Sequence, residues 1–151
     1  MSISLGEELN FVRDYLSVEQ IRMGDRLNFG IEAEKSMTEQ IQVPKMLIQN
    51  FVENAVKLGI RHLKDRAGVI LIYAERAGNY YHVLVEDNGV GRKKAAAMGS
   101  TGTGNGLQMV QKSLDIFEKL EKIRINFQIG DVVDEAGQVA GTRVLLKIPL
   151  R

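Results

Sequence analysis

The sequence contains no cysteine, only two prolines and only two histidines among its 151 residues. Without cysteine, neither a disulfide framework nor a thiolate metal site can form. The two histidines, His62 and His82, argue against a histidine-rich metal site. Neither charge sign dominates. Twenty basic side chains stand against nineteen acidic ones, a formal net charge of +1, so there is no electrostatic basis for nucleic-acid or membrane-surface binding. No apolar run approaches the length of a membrane-spanning helix, and residues 1–8 lack the basic and apolar regions of a signal peptide. The expectation is one cytoplasmic domain, which could belong to a larger, membrane-anchored protein. An apolar share of 44% and a charged share of 26% suit a globular domain with a sizeable core.

Periodicity organises the chain. Ser4-Leu5-Gly6-Glu7 has capping-box spacing, and Leu9, Val12 and Leu16 follow at helical intervals, predicting a helix over 4–23 that ends at Gly24-Asp25. Leu27, Phe29, Ile31 and Ala33 alternate with polar residues as in a half-buried strand. A second helix is expected to begin near Pro44. On a helical wheel Asn50, Glu53, Asn54, Lys57 and Arg61 share one side, and Leu47, Ile48, Phe51, Val52, Ala55 and Val56 the other. Residues 69–73 and 81–85 read as strands of a hairpin turning at Gly78-Asn79. Residues 89–106 read as a long, glycine-rich loop of the kind that is usually functional. Leu107, Val110, Leu114 and Phe117 mark a helix. Strands are expected over 123–129 and 144–148, separated by a turn at 134–137. This order predicts an α+β fold, a sandwich with helices on one face of the sheet.

Three features carry chemistry. Asp87-Asn88-Gly89-Val90-Gly91 ends a strand. Its aspartate can accept a hydrogen bond from an amino group, and its glycines let a flat ring approach the backbone. As a lone motif, Asp-Asn-Gly is more often a simple turn. Gly102-Thr103-Gly104-Asn105-Gly106 precedes a helix, where bare N–H groups suit a phosphate, although a flexible helix entry is an equal reading. Asn50 and Asn54 offer carboxamide oxygens to a hard cation, and Lys57 could meet a phosphate. Asparagine is a poor helix former, so this pair in mid-helix is more than a solvated face requires. The Rossmann, P-loop and Ser/Thr/Tyr-kinase signatures are all missing.

Taken together, these motifs resemble the GHKL superfamily, the ATP domains of gyrase-like enzymes, heat-shock chaperones, histidine kinases and mismatch-repair proteins. Glu53-Asn54-Ala55 matches its N box, residues 87–91 and 102–107 its two glycine boxes, and Gly141-Thr142-Arg143-Val144 its closing segment. Within the superfamily, residues 44–55 and the stretch from Glu7-Glu8-Leu9 through Tyr15-Leu16, Glu19 and Arg22 to Asp25-Arg26-Leu27 look like LytS-type sensor histidine kinases.

The resemblance implies a Bergerat fold, a two-layer α/β sandwich with a mixed sheet. Residues 1–25 would be a leading helix from a dimerisation or linker region, and 26–151 the ATP-binding catalytic domain. It implies ATP and Mg2+ as cofactors. Asp87 would bond the adenine amino group, with Thr142 supporting that edge, and Asn54 would bind the metal. Asn50 and Lys57 would lie near the phosphates. Gly89 and Gly91 would frame the adenine, and Gly102, Gly104, Gly106 and Leu107 would belong to the phosphate lid. The γ-phosphoryl group would pass to a histidine outside this chain, on the phosphoacceptor helix of a homodimeric sensor that serves a response regulator. Leu58 and Asn105 depart from the family pattern, which usually has histidine and an aliphatic residue there. The alternatives are a GHKL ATPase, a serine-directed anti-sigma-factor kinase and a non-catalytic nucleotide-binding module. In the hydrolases a glutamate stands one turn before the metal-binding asparagine, the place that Asn50 occupies here.

Overall fold

A computed structural model describes the backbone of residues 2–97 and 103–151, and the side chains of all of these except 103–105. Strand β1 (Ser2–Ser4) leads directly into helix α1 (Leu5–Met23). The Ser4 hydroxyl accepts the Glu7 N–H at 3.1 Å, the cap its spacing predicts. Gly24 closes the helix at φ 60, and its N–H returns to the Gln20 carbonyl. Strand β2 (Leu27–Ala33) follows, then a single turn of helix α2 (Lys35–Thr38) and the short strand β3 (Gln42–Pro44). β1 and β3 pair antiparallel, with Ile3 opposite Val43.

The second helix does not begin at Pro44. Pro44 ends β3, and Met46, in the left-handed conformation at φ 71, turns the chain into α3 (Leu47–Asn54). The partnership with β1 forty residues upstream holds Pro44 extended, and no local pattern reveals it. α3 widens into a π-helical turn over Ala55–Gly59 and tightens into a 3-10 turn over Ile60–His62. The π turn breaks the 3.6-residue repeat, so the single polar face expected of this stretch is split.

Strands β4 (Gly68–Ala77) and β5 (Tyr80–Asp87) form the hairpin, with Gly78 at φ 63 in its turn. Among the described residues of the expected loop over 89–106, α4 (Arg92–Ala97) and the first turn of α5 (Thr103–Glu121) are helical; residues 98–102 lie outside the described ones. The run Arg92-Lys93-Lys94-Ala95-Ala96-Ala97 is made of good helix formers, and the Ala95 N–H bonds the Gly91 carbonyl at 3.0 Å. Strand β6 (Asn126–Val133) begins three residues later than the alternation at Ile123 suggests. Its ladder with β7 (Val139–Pro149) starts at Asn126 opposite Lys147, close to Pro149, which has no N–H to offer.

The sheet has the order β2-β4-β5-β7-β6, with β2 and β4 parallel and every other pair antiparallel. Ile70, Ile72, Val83, Val85, Val144, Leu146 and Ile148 are buried along one face of it. They form one core with Leu5, Leu9, Val12 and Leu16 of α1, Ile48, Phe51 and Val52 of α3, and Val110, Leu114 and Phe117 of α5. Phe51 meets Phe127 of β6 with ring centroids 5.3 Å apart. Each fully buried aliphatic side chain contributes about 1.5–3 kcal/mol relative to leaving it exposed. α1 is therefore part of the core and not an appendage to it. Among the described residues, no helix is long and apolar enough to cross a membrane.

Replacing Ser4 with alanine removes the cap at the start of α1 and should cost about 1 kcal/mol, measured by denaturant unfolding; the slope of the transition should not change.

Candidate functional site

Asp87 is the last residue of β5. Across the sheet it faces Ile70 of β4 on one side and Thr142 of β7 on the other. It is 6% exposed, one of few buried charged side chains. Oδ1 accepts the Gly89 N–H at 2.8 Å, and the carboxyl also receives the Thr142 N–H. These bonds compensate burial only in part, and the carboxyl is pushed up to about 6 from its ordinary 3.8, chiefly by loss of solvent. Asn88 has a different task. Its Oδ1 accepts the Val69 N–H at 2.7 Å and its Nδ2 donates to the Ala67 carbonyl at 3.1 Å, tying the turn to β4.

Three glycines make this corner possible. A Cβ on Gly89 would collide with the Gly59 backbone, and a Cβ on Gly59 would sit 3.0 Å from Asp87 Oδ1. A Cβ on Gly141 would collide with the Asp87 carbonyl, and Gly141 also has φ 153. The end of the π turn, the Asp87 turn and the start of the β7 closing segment therefore meet backbone to backbone.

A cavity opens beside them. Phe51, Ala55, Leu58, Val85, Leu107, Ile129 and Val144 line it with apolar surface. Asn54, Asp87 and Thr142 supply polar groups, Gly91 and Gly59 bare backbone, and Arg92 a cation. A narrow apolar slot with one buried acceptor suits a flat heterocycle that presents an amino group. At the other side, Gly106 in the first turn of α5 lies beside the Asn54 carboxamide, at 3.7 Å from where a Cβ would stand. The start of a 19-residue helix, with its unpaired N–H groups, thus faces the one carboxamide of the cavity wall.

Of the residues singled out from the sequence, Asn54, Asp87, Gly91, Leu107 and Thr142 line the cavity, and Gly89 and Gly106 abut its wall. Asn50 is half-buried one turn before Asn54, and Lys57 is exposed on the π turn; neither forms the wall. Gly104 is in the first turn of α5, its surroundings undescribed, while Gly102 and the Asn105 side chain lie outside the described residues. Leu58, where the pattern departs from the family, keeps contact with the cavity through an apolar surface. Sequence reasoning missed Gly59, although a glycine inside a helical pattern is a signal that something approaches closely. It also missed Arg92, and Phe51, Val85, Ile129 and Val144, which from periodicity alone read as core.

A cavity of this construction belongs to the nucleotide-binding class of sandwich domains, and the comparisons define it further. Residues 39–151 match the family of histidine kinase-, DNA gyrase B- and HSP90-like ATPases, and the chain belongs to that family. It is 30% identical to the sensor protein kinase HptS of Staphylococcus aureus over 99% of its own length. It spans 28% of the length of that relative. Among solved structures, a mycobacterial sensor histidine kinase, MprB, superposes with a TM-score of 0.63 at 16% identity, over 100% of this chain and 97% of that one. The catalytic domain of histidine kinase ThkA superposes at 0.60 and 18% identity, over 99% of this chain and 94% of that one. ThkA has also been solved in complex with the response regulator TrrA, and that structure superposes at 0.60 and 19% identity, over 100% of this chain and 42% of that one.

The raised position of Asp87 has a consequence for stability. Its carboxyl binds protons more tightly folded than unfolded. The stabilisation from the protonated form is therefore complete below pH 3.8 and is lost as pH rises through about 6. At pH 7 the ionised, buried carboxylate costs at most about 3 kcal/mol. Asp87→Asn should raise the unfolding free energy at pH 7 by roughly 1–2 kcal/mol, less than the maximum because asparagine loses one acceptor atom. Parallel melts at pH 7 and pH 4 check this: the gain should vanish at the lower pH.

Proposed function

We propose that this chain is the catalytic ATP-binding domain of a sensor histidine kinase, and that Asp87 is the adenine acceptor in its cavity. The observation that carries the reading is the buried carboxylate at the closed end of an apolar slot, backed by Gly59, Gly89 and Gly141. The adenine amino group would satisfy the Asp87 carboxylate, with Thr142 beside it. Phe51, Ala55 and Ile129 would enclose the ring, and Gly91 would let it approach the backbone. The triphosphate would extend toward Asn54 and the start of α5, where the family resemblance would assign Gly104, Gly106 and Leu107 to the lid. Asn50 and Lys57, on the same helical stretch, would complete the polar surroundings of the phosphates.

Magnesium fits this arrangement as a companion of the nucleotide. The described residues contain no group of three or more acidic or histidine side chains that could cage a metal ion. A single carboxamide, Asn54, suits an ion that keeps waters and takes most of its ligands from phosphate oxygens. Bound there, the ion would neutralise charge developing on the transferred phosphoryl group. Asn54 would orient the phosphates, and the start of α5 would meet them with N–H groups.

Phosphotransfer is preferred to hydrolysis because, among the described residues, the only carboxylate of the cavity wall is Asp87, which the reading assigns to the adenine end. Asn50 cannot take up a proton. Glu53 is hydrogen-bonded to Gln49 Nε2 at 3.3 Å and is absent from the cavity wall. The γ-phosphoryl acceptor would be a histidine outside this chain, carried by a homodimeric sensor anchored in a membrane, with this domain on its cytoplasmic side. Residues 1–25 would be the end of the linker helix leading from that region. The match to HptS over nearly the whole chain supports this reading. The ThkA–TrrA complex supports a response regulator as the downstream partner.

Calorimetric titration with Mg-ATP tests the site. The wild-type chain should bind, and Asp87→Asn should weaken binding at least about 100-fold, the cost of losing a charged buried acceptor; unchanged affinity would remove Asp87 from the site. Affinity should also fall as pH is lowered through about 6, because the acceptor becomes protonated; a flat profile from pH 7.5 to 5 contradicts the role. Incubated with γ-labelled ATP, the isolated chain should not label itself. Acid-labile phosphate on His62 or His82 would place the acceptor within it.

A further inference from the structure

α1 and the helical stretch that carries Asn54 are joined along a buried polar seam. At one end, Glu8 of α1 is 1% exposed. Its Oε1 accepts the Met46 N–H at 3.1 Å and its Oε2 the Gln49 N–H at 3.0 Å. These are the N–H groups that α3 leaves unpaired at its start, and Met46 is the residue held at φ 71. A helix is normally capped by its own preceding residue. Here Met46 offers no capping side chain, and a carboxylate from a different helix, 38 residues upstream, does the work. At the other end, the Glu19 carboxylate lies 3.5 Å from Arg61 and 3.7 Å from Arg22. Between them the Tyr15 hydroxyl and the Gln49 side-chain oxygen Oε1 are buried without hydrogen-bond partners.

Such a seam is sensitive to register. An apolar interface tolerates small sliding, but a carboxylate whose two oxygens each hold a different N–H group does so at one position of α1 only. The consequence travels, because α3 continues without a break into the π turn, and Gly59 at its end lies against the Asp87 carboxylate and is in backbone contact with Gly89. No side chain lies between to absorb a shift. Asn54, midway, lies next to Gly106 of α5. α1 precedes the stretch 39–151 that matches the family, yet the similarity to HptS covers 99% of this chain, α1 included.

We propose that Glu8 is a positioning residue for nucleotide binding: by clamping the start of α3 it sets Asn54 and Gly59, so that the register of α1 governs the affinity of the ATP site. The proposal rests on the reading of the cavity as a nucleotide site. α1 is then the element through which movement elsewhere in a longer sensor reaches that site, and Glu8 is the contact that transmits it.

The test uses the 151-residue chain and the variants Glu8→Gln, Glu8→Asp and, as a control for lost stability, Ile148→Ala, which removes core packing at the far end of β7. Measured well below every melting temperature, Mg-ATP affinity should fall about 5- to 30-fold in Glu8→Gln. It should fall less in Glu8→Asp and stay at the wild-type value in Ile148→Ala. Amide hydrogen exchange without nucleotide should quicken through residues 50–59 in Glu8→Gln, beyond the first turn of α3. Wild-type affinity in Glu8→Gln, or faster exchange confined to residues 46–49, would overturn the proposal. If the wild-type chain does not bind Mg-ATP, the functional reading fails, and the exchange pattern alone then decides whether Glu8 positions residues 50–59.

Discussion

At Gly59 and Gly89 two segments of backbone meet with no side chain between them, and the Asp87 carboxylate closes the same corner. The arrangement of the cavity follows from this approach. Asp87 can be buried at the end of β5 because the Gly89 and Thr142 N–H groups face it, and they face it because Gly89 and Gly141 allow the chain to fold back so tightly. Burial raises the energy of the ionised carboxylate, and the neighbouring N–H groups offset this only in part. In the proposed site, an amino group entering the slot would supply a further partner. Burying the ionised carboxylate costs stability, a common condition of functional sites.

The π turn over Ala55–Gly59 belongs to the same arrangement. A regular helix would continue the face of Asn50 and Asn54 through Lys57 to Arg61. The wider turn instead brings Leu58 and Gly59 to the cavity and leaves Arg61 beside Glu19 of α1. One helical stretch thereby serves two surfaces, the cavity and the seam with α1. Under the role proposed for Glu8, this double duty would make the leading helix mechanically relevant to the site.

Much of the fold was legible because its determinants are local. The Ser4 cap, the apolar repeat of α1, the alternation in β2, β4, β5 and β7, and the Gly78-Asn79 turn are all encoded within a few residues of where they act. The Asp87 turn could be singled out for the same reason. Three features were not legible, each because its partner is distant in sequence. Pro44 ends a strand because β1 pairs with it. The expected start of β6 at Ile123 gives way to Asn126, where its ladder with β7 begins. Met46 adopts a left-handed conformation beside a carboxylate 38 residues upstream. The helix over 92–97 is a different case: its alanines and lysines carried the signal locally, and the surrounding glycines outweighed it.

By itself the sequence determined the residue types that a nucleotide site requires: a strand-ending aspartate, glycines around it, a carboxamide in mid-helix and a glycine-led helix. It also determined the order in which they occur, which is why the family could be named from them. Only the tertiary structure decided which of them share a cavity. It placed Gly59 and Ile129 beside Asp87 and Asn54, left Asn50 and Lys57 off the wall, and turned Glu53 toward Gln49. The reason is that periodicity encodes the face of an element, while convergence depends on where elements cross, and here a π turn, two side-chain-free contacts and a carboxylate from α1 set the crossing.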